Sequence, residues 1–240
     1  MLLTIEWIQS LRKERRASAT MTEISRQYVE SIIDASLGSS PAPTLSQYIE
    51  FVNQTLDYHF AATLVEPYYI RSAAPILHQN GKKVVTVISY PLAGYTSKAK
   101  LFQAQQAIRD GTDELDISMD LSAFKDGDYS QVIDDLKPAV ELSGERVTKM
   151  IYFSNILNPD EQKKAAELAI KLGFHFLKTN PGYGYVTKPE DIRLIKSEFA
   201  DAIKVMASGG VRTKDDAIAM IHAGADRIAT STAVAILSGF

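Results

Sequence analysis

Residues 174–213 read FHFLKTNPGYGYVTKPEDIRLIKSEFADAIKVMASGGVRT. Two apolar stretches, FHFLKT (174–179) and ADAIKVMA (200–207), flank a helical pattern, and each carries a lysine, Lys178 and Lys204, ahead of a glycine-containing loop. A strand–helix–strand unit makes parallel neighbours, which lie about 5 Å apart in the pairing direction. The reading therefore puts both ammonium groups in one pocket. Like charges that close are costly, and the cheapest relief is for one lysine to lose its proton. A neutral buried amine is a nucleophile. Holding a lysine in that form at neutral pH takes about 4–5 kcal/mol of differential destabilisation, which burial plus a neighbouring ammonium can supply.

Outward from this stretch the same unit recurs. Runs rich in β-branched residues fall at 31–36, 61–65, 84–90, 114–119, 146–153, 174–179, 202–207 and 226–230. Helical patterns follow at 44–58, 67–80, 97–110, 128–142, 159–172, 188–198, 213–223 and 231–238. Thr44, Ser97, Asn158-Pro159 and Thr213 are the expected helix starts, and Gly81, Gly111, Gly173 and Gly224 the stops. The strands are apolar throughout and do not alternate, as expected when both faces are covered. Eight such units predict a single α/β domain over 1–240, a (β/α)8 TIM barrel with an N-terminal helical extension at 1–28. An open doubly wound sheet is the rival. No G-x-G-x-x-G follows the first strand to support it.

The 240 residues suit one such barrel, and a hydrophobic share of 45% supports a full core. A net charge of −3 gives no general attraction to nucleic acid or to an acidic membrane. The chain has no cysteine, which excludes disulfides, thiolate catalysis and cysteine metal sites. No apolar run reaches membrane-spanning length, and the start lacks a signal-peptide core, so a cytoplasmic protein is expected. Arg12, Lys13, Arg15 and Arg16 read as a solvated face. His59, His78, His175 and His222 lack metal-ligand spacing and read as structural. Neither a metal nor a cofactor is expected.

Active sites of such barrels sit at the C-terminal strand ends. That places Lys178, Lys204 and Asp116 together as catalytic groups, with Asp34 and Lys149 nearby. The bland alternative is an ion-pair network that only ties strands together. Asp116 is expected to be the inward residue of GTDELDISMD (111–120), set apart from Asp113, Glu114 and Asp120. An amine of this kind attacks a carbonyl to give an imine, whose electron-sink character allows aldol chemistry with Asp116 shuttling the proton. Ser208-Gly209-Gly210 and Thr230-Ser231-Thr232, after strands 7 and 8, are candidates for a phosphate pocket, although either alone could be a tight turn.

These residues resemble the deoxyribose-phosphate aldolase family. The resemblance runs through IDASL (33–37), FAATLVEPYYI (60–70), GTDELDISMD, TKMI (148–151), FLKTNPGYG (176–184), IKVMASGGVRT (203–213) and ADRIATST (225–232). It implies reversible cleavage of 2-deoxy-D-ribose 5-phosphate to D-glyceraldehyde 3-phosphate and acetaldehyde. By position Lys178 would be the imine-forming lysine, Lys204 its activating neighbour and Asp116 the proton carrier. Asp34, Lys149, Thr179, Gly182, Ser208, Gly209, Gly210, Ser231 and Thr232 would surround a phosphorylated sugar. A homodimer is the assembly it suggests. The chain departs from the family's usual pattern at Ala35-Ser36, at Glu66 (where the family usually has asparagine), at Asn180-Pro181 and at Ala229. Those departures leave open an aldolase for another phosphorylated sugar. A barrel that binds a phosphometabolite without turnover is the remaining alternative.

Overall fold

The computed structural model describes residues 24–38 and 43–240. The basic cluster at 12–16 and most of the expected N-terminal extension lie outside them. The described part of that extension, 24–28, leads into helix α1 (Arg26–Ser31), capped by Ser25.

Eight parallel strands close into a barrel in sequence order, and β8 pairs with β1. They are β1 (Ile33–Ser36), β2 (Ala62–Leu64), β3 (Val84–Ile88), β4 (Glu114–Ser118), β5 (Val147–Ile151), β6 (Phe176–Lys178), β7 (Lys204–Ser208) and β8 (Arg227–Thr230). The helices between them are α2 (Leu45–Thr55), α3 (Ile70–Gln79), α4 (Ser97–Asp110), α5 (Leu121–Lys125), α6 (Tyr129–Ser143), α7 (Pro159–Leu172), α8 (Pro189–Phe199), α9 (Lys214–Ala223) and α10 (Ala233–Ser238). Every expected strand overlaps an observed one. The barrel and not the open sheet is the outcome.

Thr44, Asn158 and Thr213 cap α2, α7 and α9 with reciprocal side-chain bonds to Gln47, Glu161 and Asp216. One expected cap is corrected. Thr96, not Ser97, accepts from the Ala99 N–H at the start of α4, and Ser97 is the first helical residue. Gly111, Gly173 and Gly224 end their helices in the left-handed conformation.

Alternate strand residues divide the core in two. Outward residues such as Leu115, Ile117, Val205 and Ile228 are fully buried between sheet and helices, and each such side chain contributes about 1.5–3 kcal/mol. Inward residues include Asp34, Glu114, Asp116, Lys149, Phe176, Lys178, Met206 and Arg227. The centre of this barrel is therefore charged where a simpler one would be packed with Val and Ile.

Candidate active site

A cavity of 160 Å³ opens at the C-terminal end of the barrel, with Lys178 in its lining. Lys178 is the last residue of β6 and is 1% exposed. Its Nζ donates to Asp116 Oδ2 at 2.6 Å. The other oxygen of Asp116 accepts from Lys149 Nζ at 2.7 Å. Register sets this up, because Asp116 on β4 pairs with Lys149 on β5. Lys149 also meets Glu114 at 2.9 Å and Asp34 at 3.2 Å. Arg227, near the floor, closes the network on Glu114 at 2.5 Å and Asp34 at 3.3 Å. Three carboxylates and three cations thus fill the axis, and their formal charges cancel.

Burial would push the Asp116 carboxyl up, but Lys149 and Lys178 outweigh it and hold it below the ordinary carboxylate range. Glu114 is held low against burial in the same way, by Lys149 and Arg227. Asp34 goes the other way. Burial wins over Lys149 and Arg227 and raises its carboxyl, with Glu114 and Asp116 adding to the effect. Burial disfavours the Lys149 ammonium, yet the three carboxylates keep it firmly protonated. The expectation that Asp116 alone points inward is corrected, since Glu114 shares its face and its partner. Asp113 instead accepts from the Val84 N–H, and Asp120 caps α5.

The expected lysine pair does not form. Lys178 stands opposite Met206 on β7, while Lys204 stands opposite Phe176, two residues lower. Lys204 is the first residue of its strand and is exposed at the N-terminal end of the barrel. Its Nζ lies 5.5 Å from the centre of the Phe176 ring, which Arg227 also faces. The second lysine joined to Lys178 is Lys149, through Asp116.

The other predicted residues divide into three groups. Gly182, Ser208, Gly209, Gly210 and Ser231 line the mouth cavity. Gly209 and Gly210 have φ of +96° and +82°, and a Cβ on either would drive into Tyr185 or Val186 of the loop above. Only glycine lets that loop close over the pair, where the Thr187 N–H bonds the Gly209 carbonyl at 3.0 Å. Asp34 and Lys149 lie beneath the cavity in the charged axis. Thr179 and Thr232 are spent on the scaffold: Thr179 Oγ1 donates to the Ser208 carbonyl at 3.1 Å, and Thr232 Oγ1 to the Arg212 carbonyl at 2.9 Å. Asn180 also turns away from the mouth, donating to Ser154 at 2.8 Å and Thr187 at 3.0 Å.

Glu66, expected only as a departure bearing on the substrate, lines the cavity, and so do Tyr90, Tyr183 and Arg212, to which the sequence assigned no role. The Tyr90 hydroxyl donates to the Pro181 carbonyl, and its ring meets Tyr183 edge-on at 5.6 Å. Burial keeps that phenol protonated. Convergence of four different strand-end loops is what marks this wall. Two of the histidines have scaffold partners: His78 Nε2 lies 2.9 Å from Asp113, and His175 Nδ1 accepts from the Thr148 N–H at 3.1 Å.

Comparison with known proteins adds three findings. A family model described as DeoC/LacD family aldolase matches residues 28–239. The deoxyribose-phosphate aldolase of Staphylococcus carnosus is 38% identical over 200 residues, covering 83% of this chain and 91% of that one. That of an Exiguobacterium species is 40% identical over 199 residues, covering 82% and 90%. Among solved structures, one described as QR15, an aldolase, superposes with a TM-score of 0.83 at 39% identity, covering 88% of this chain and 94% of that one. A deoxyribose phosphate aldolase from Aeropyrum pernix, described as tetrameric, superposes at 0.84 with 28% identity, covering 90% and 92%.

Proposed function

The chain belongs to the DeoC/LacD aldolase family, and on that premise we propose that it cleaves 2-deoxy-D-ribose 5-phosphate reversibly through an imine on Lys178. The products are D-glyceraldehyde 3-phosphate and acetaldehyde. The observation that carries the reading is the Lys178–Asp116 contact of 2.6 Å at the floor of the mouth cavity.

To attack the C1 carbonyl of the open-chain sugar, Lys178 must first give up a proton. Asp116 is the acceptor in reach, and the transfer neutralises both groups at once. Lys149 and Arg227 then face Asp34 and Glu114, so the axis stays balanced. Met206, fully buried beside Lys178, adds no charge. Asp116 returns the proton to the carbinolamine oxygen, which leaves as water, and its carboxylate becomes the counter-ion of the iminium. The C2–C3 bond then breaks. Its electrons pass into the iminium to give an enamine, and the C3 hydroxyl proton goes to Asp116 as glyceraldehyde 3-phosphate departs. Protonation of the enamine carbon by Asp116 and hydrolysis by water release acetaldehyde and the lysine.

At the far side of the cavity Gly209, Gly210, Ser231 and Arg212 are the groups for the phosphate. Backbone N–H groups of a glycine pair accept an anion closely, and the guanidinium supplies charge.

Borohydride with acetaldehyde is the test. Peptide mapping is expected to place a stable ethyl group on Lys178. Label on another lysine, or no label, removes the imine assignment.

A further inference from the structure

We infer that Glu66 reads the hydroxylated middle of the substrate, its carboxylate accepting a hydrogen bond from the hydroxyl that the acceptor aldehyde carries next to its carbonyl. This rests on the reaction proposed above and adds to it the residue that selects among acceptors.

Four observations place Glu66 in that role. It follows β2, and in the closed strand order β2 lies opposite β6, so Glu66 faces Lys178 across the mouth. Its backbone is fixed. The Glu66 N–H donates to Tyr48 Oη at 2.8 Å, the Tyr48 ring stacks on Tyr69 at 4.1 Å, and Pro67 begins a short 3-10 turn immediately after. Its carboxylate is half-buried, and among the described residues no cation pairs with it and no donor satisfies it. Burial therefore raises its pKa without opposition. A half-buried carboxylate with no protein donor is free to accept a hydrogen bond from a ligand hydroxyl.

The fourth observation is the distribution of charge. Lys178, Glu66 and Arg212 are the charged side chains in the cavity lining. Lys178 is already paired with Asp116 beneath it. What remains is a carboxylate at the β2 end and a guanidinium at the β7–β8 end, beside the glycine pair. A dianionic phosphate is drawn to the second and repelled by the first. The sugar phosphate is thereby bound in one direction, and its uncharged hydroxylated carbons pass Glu66.

The test compares two acceptors with acetaldehyde as donor: D-glyceraldehyde 3-phosphate, and the same phosphorylated aldehyde lacking the 2-hydroxyl. The native chain is expected to lose roughly ten- to hundred-fold in kcat/KM on the deoxygenated acceptor, the usual worth of a hydrogen bond to a charged group. Glu66→Leu is expected to shrink that discrimination to under about threefold. Glu66→Gln, which still offers an acceptor oxygen, should retain part of it. Borohydride trapping of acetaldehyde on Lys178, which involves no acceptor, should be unchanged in both variants and reports that they are folded. If both variants trap the imine and discriminate as strongly as the native chain, Glu66 does not read the hydroxyl. If the native chain itself traps no imine, the reaction proposed above fails and this assignment falls with it.

Discussion

Lys178 and Lys204 stand on adjacent strands of one barrel, and their surroundings differ as a core differs from a surface. Lys178 ends β6, is buried, and is held at 2.6 Å by Asp116. Lys204 begins β7, is exposed, and has an aromatic ring as its neighbour at 5.5 Å. Both point along the inward face, so the difference is one of height alone, set by the register that pairs Lys178 with Met206. Parallel strands run the same way, so a lysine's distance from the C-terminal strand end decides whether it belongs to the mouth or the floor. In the proposed reaction, activation of Lys178 would then come from the column beneath it, Asp116 with Lys149, and not from the neighbouring strand.

The largest effect should come from breaking that column. Asp116→Asn leaves two buried ammonium groups flanking a neutral amide, and one of its amide hydrogens points at a donor. Loss of a partner from a buried ion pair costs about 3–5 kcal/mol. The retro-aldol rate should fall by about 10²–10⁴-fold, since the proton carrier goes as well. Acid stability carries a second signature. A carboxyl held below its unfolded range stabilises the fold fully above that range, and the contribution drains away as pH falls through it. The melting temperature of the native chain should therefore drop on acidification below about pH 4, and that of Asp116→Asn should drop less steeply. Equal slopes would mean that Asp116 is not held low, and a rate within tenfold of native would remove it as proton carrier.

An effect of intermediate size tests whether the missing neighbour matters. Met206 occupies the height at which a lysine on β7 would face Lys178. Met206→Lys creates the pair that the sequence alone suggested. A second ammonium disfavours the protonated form of the first, so the acidic limb of the pH–kcat/KM profile should move to lower pH by about one unit or more. Met206→Leu, the apolar control, should leave the limb in place. The added buried charge should also lower the melting temperature. If the limb stays put in Met206→Lys, the Asp116–Lys149 column alone sets the state of Lys178, and height on β7 is irrelevant to it.

Most of the fold was legible because its signals are local. Apolar runs, capping residues and stop glycines each act within a few residues, and α7 is bounded at 159–172 as its Asn158-Pro159 start and Gly173 stop require. Helix α5 escaped notice because five residues carry no helical period, and its mark is the cap from Asp120. Lys178 and Asp116 were legible as charges inside apolar frames. Lys204 looked the same, because Ala202-Ile203 before it passed for the body of a strand. The signal that separates the two is the length of strand still to come: Val205, Met206, Ala207 and Ser208 follow Lys204 before the glycines, whereas Lys178 is already at its strand's end. The glycine pair and Ser231 were legible from their place after strands 7 and 8, but the contacts that join distant strands were not. Arg227 meets Glu114 across 113 residues of chain, and the mouth wall joins Tyr90 to Pro181 across 91. Such contacts exist only once the barrel has closed.

The smallest effect, and the sharpest test of height against strand, is Lys204→Leu. Two lysines sharing a pocket would make this substitution nearly as damaging as loss of the nucleophile's partner, and the acidic limb would move. At the floor of the barrel the same change removes an exposed charge and one cation–ring contact, worth about 0.5–1 kcal/mol in such settings. Leucine still covers the Phe176 ring, and Arg227 remains over it at 5.4 Å. Turnover within about twofold of native, an unmoved limb and a small change in melting temperature are therefore expected. A loss of tenfold or more would mean that the floor reaches the mouth through the charged axis, because Arg227, beside the same ring, holds Glu114 and Asp34 against Lys149. The two lysines would then be coupled through the column of ions between them, despite having no contact with each other.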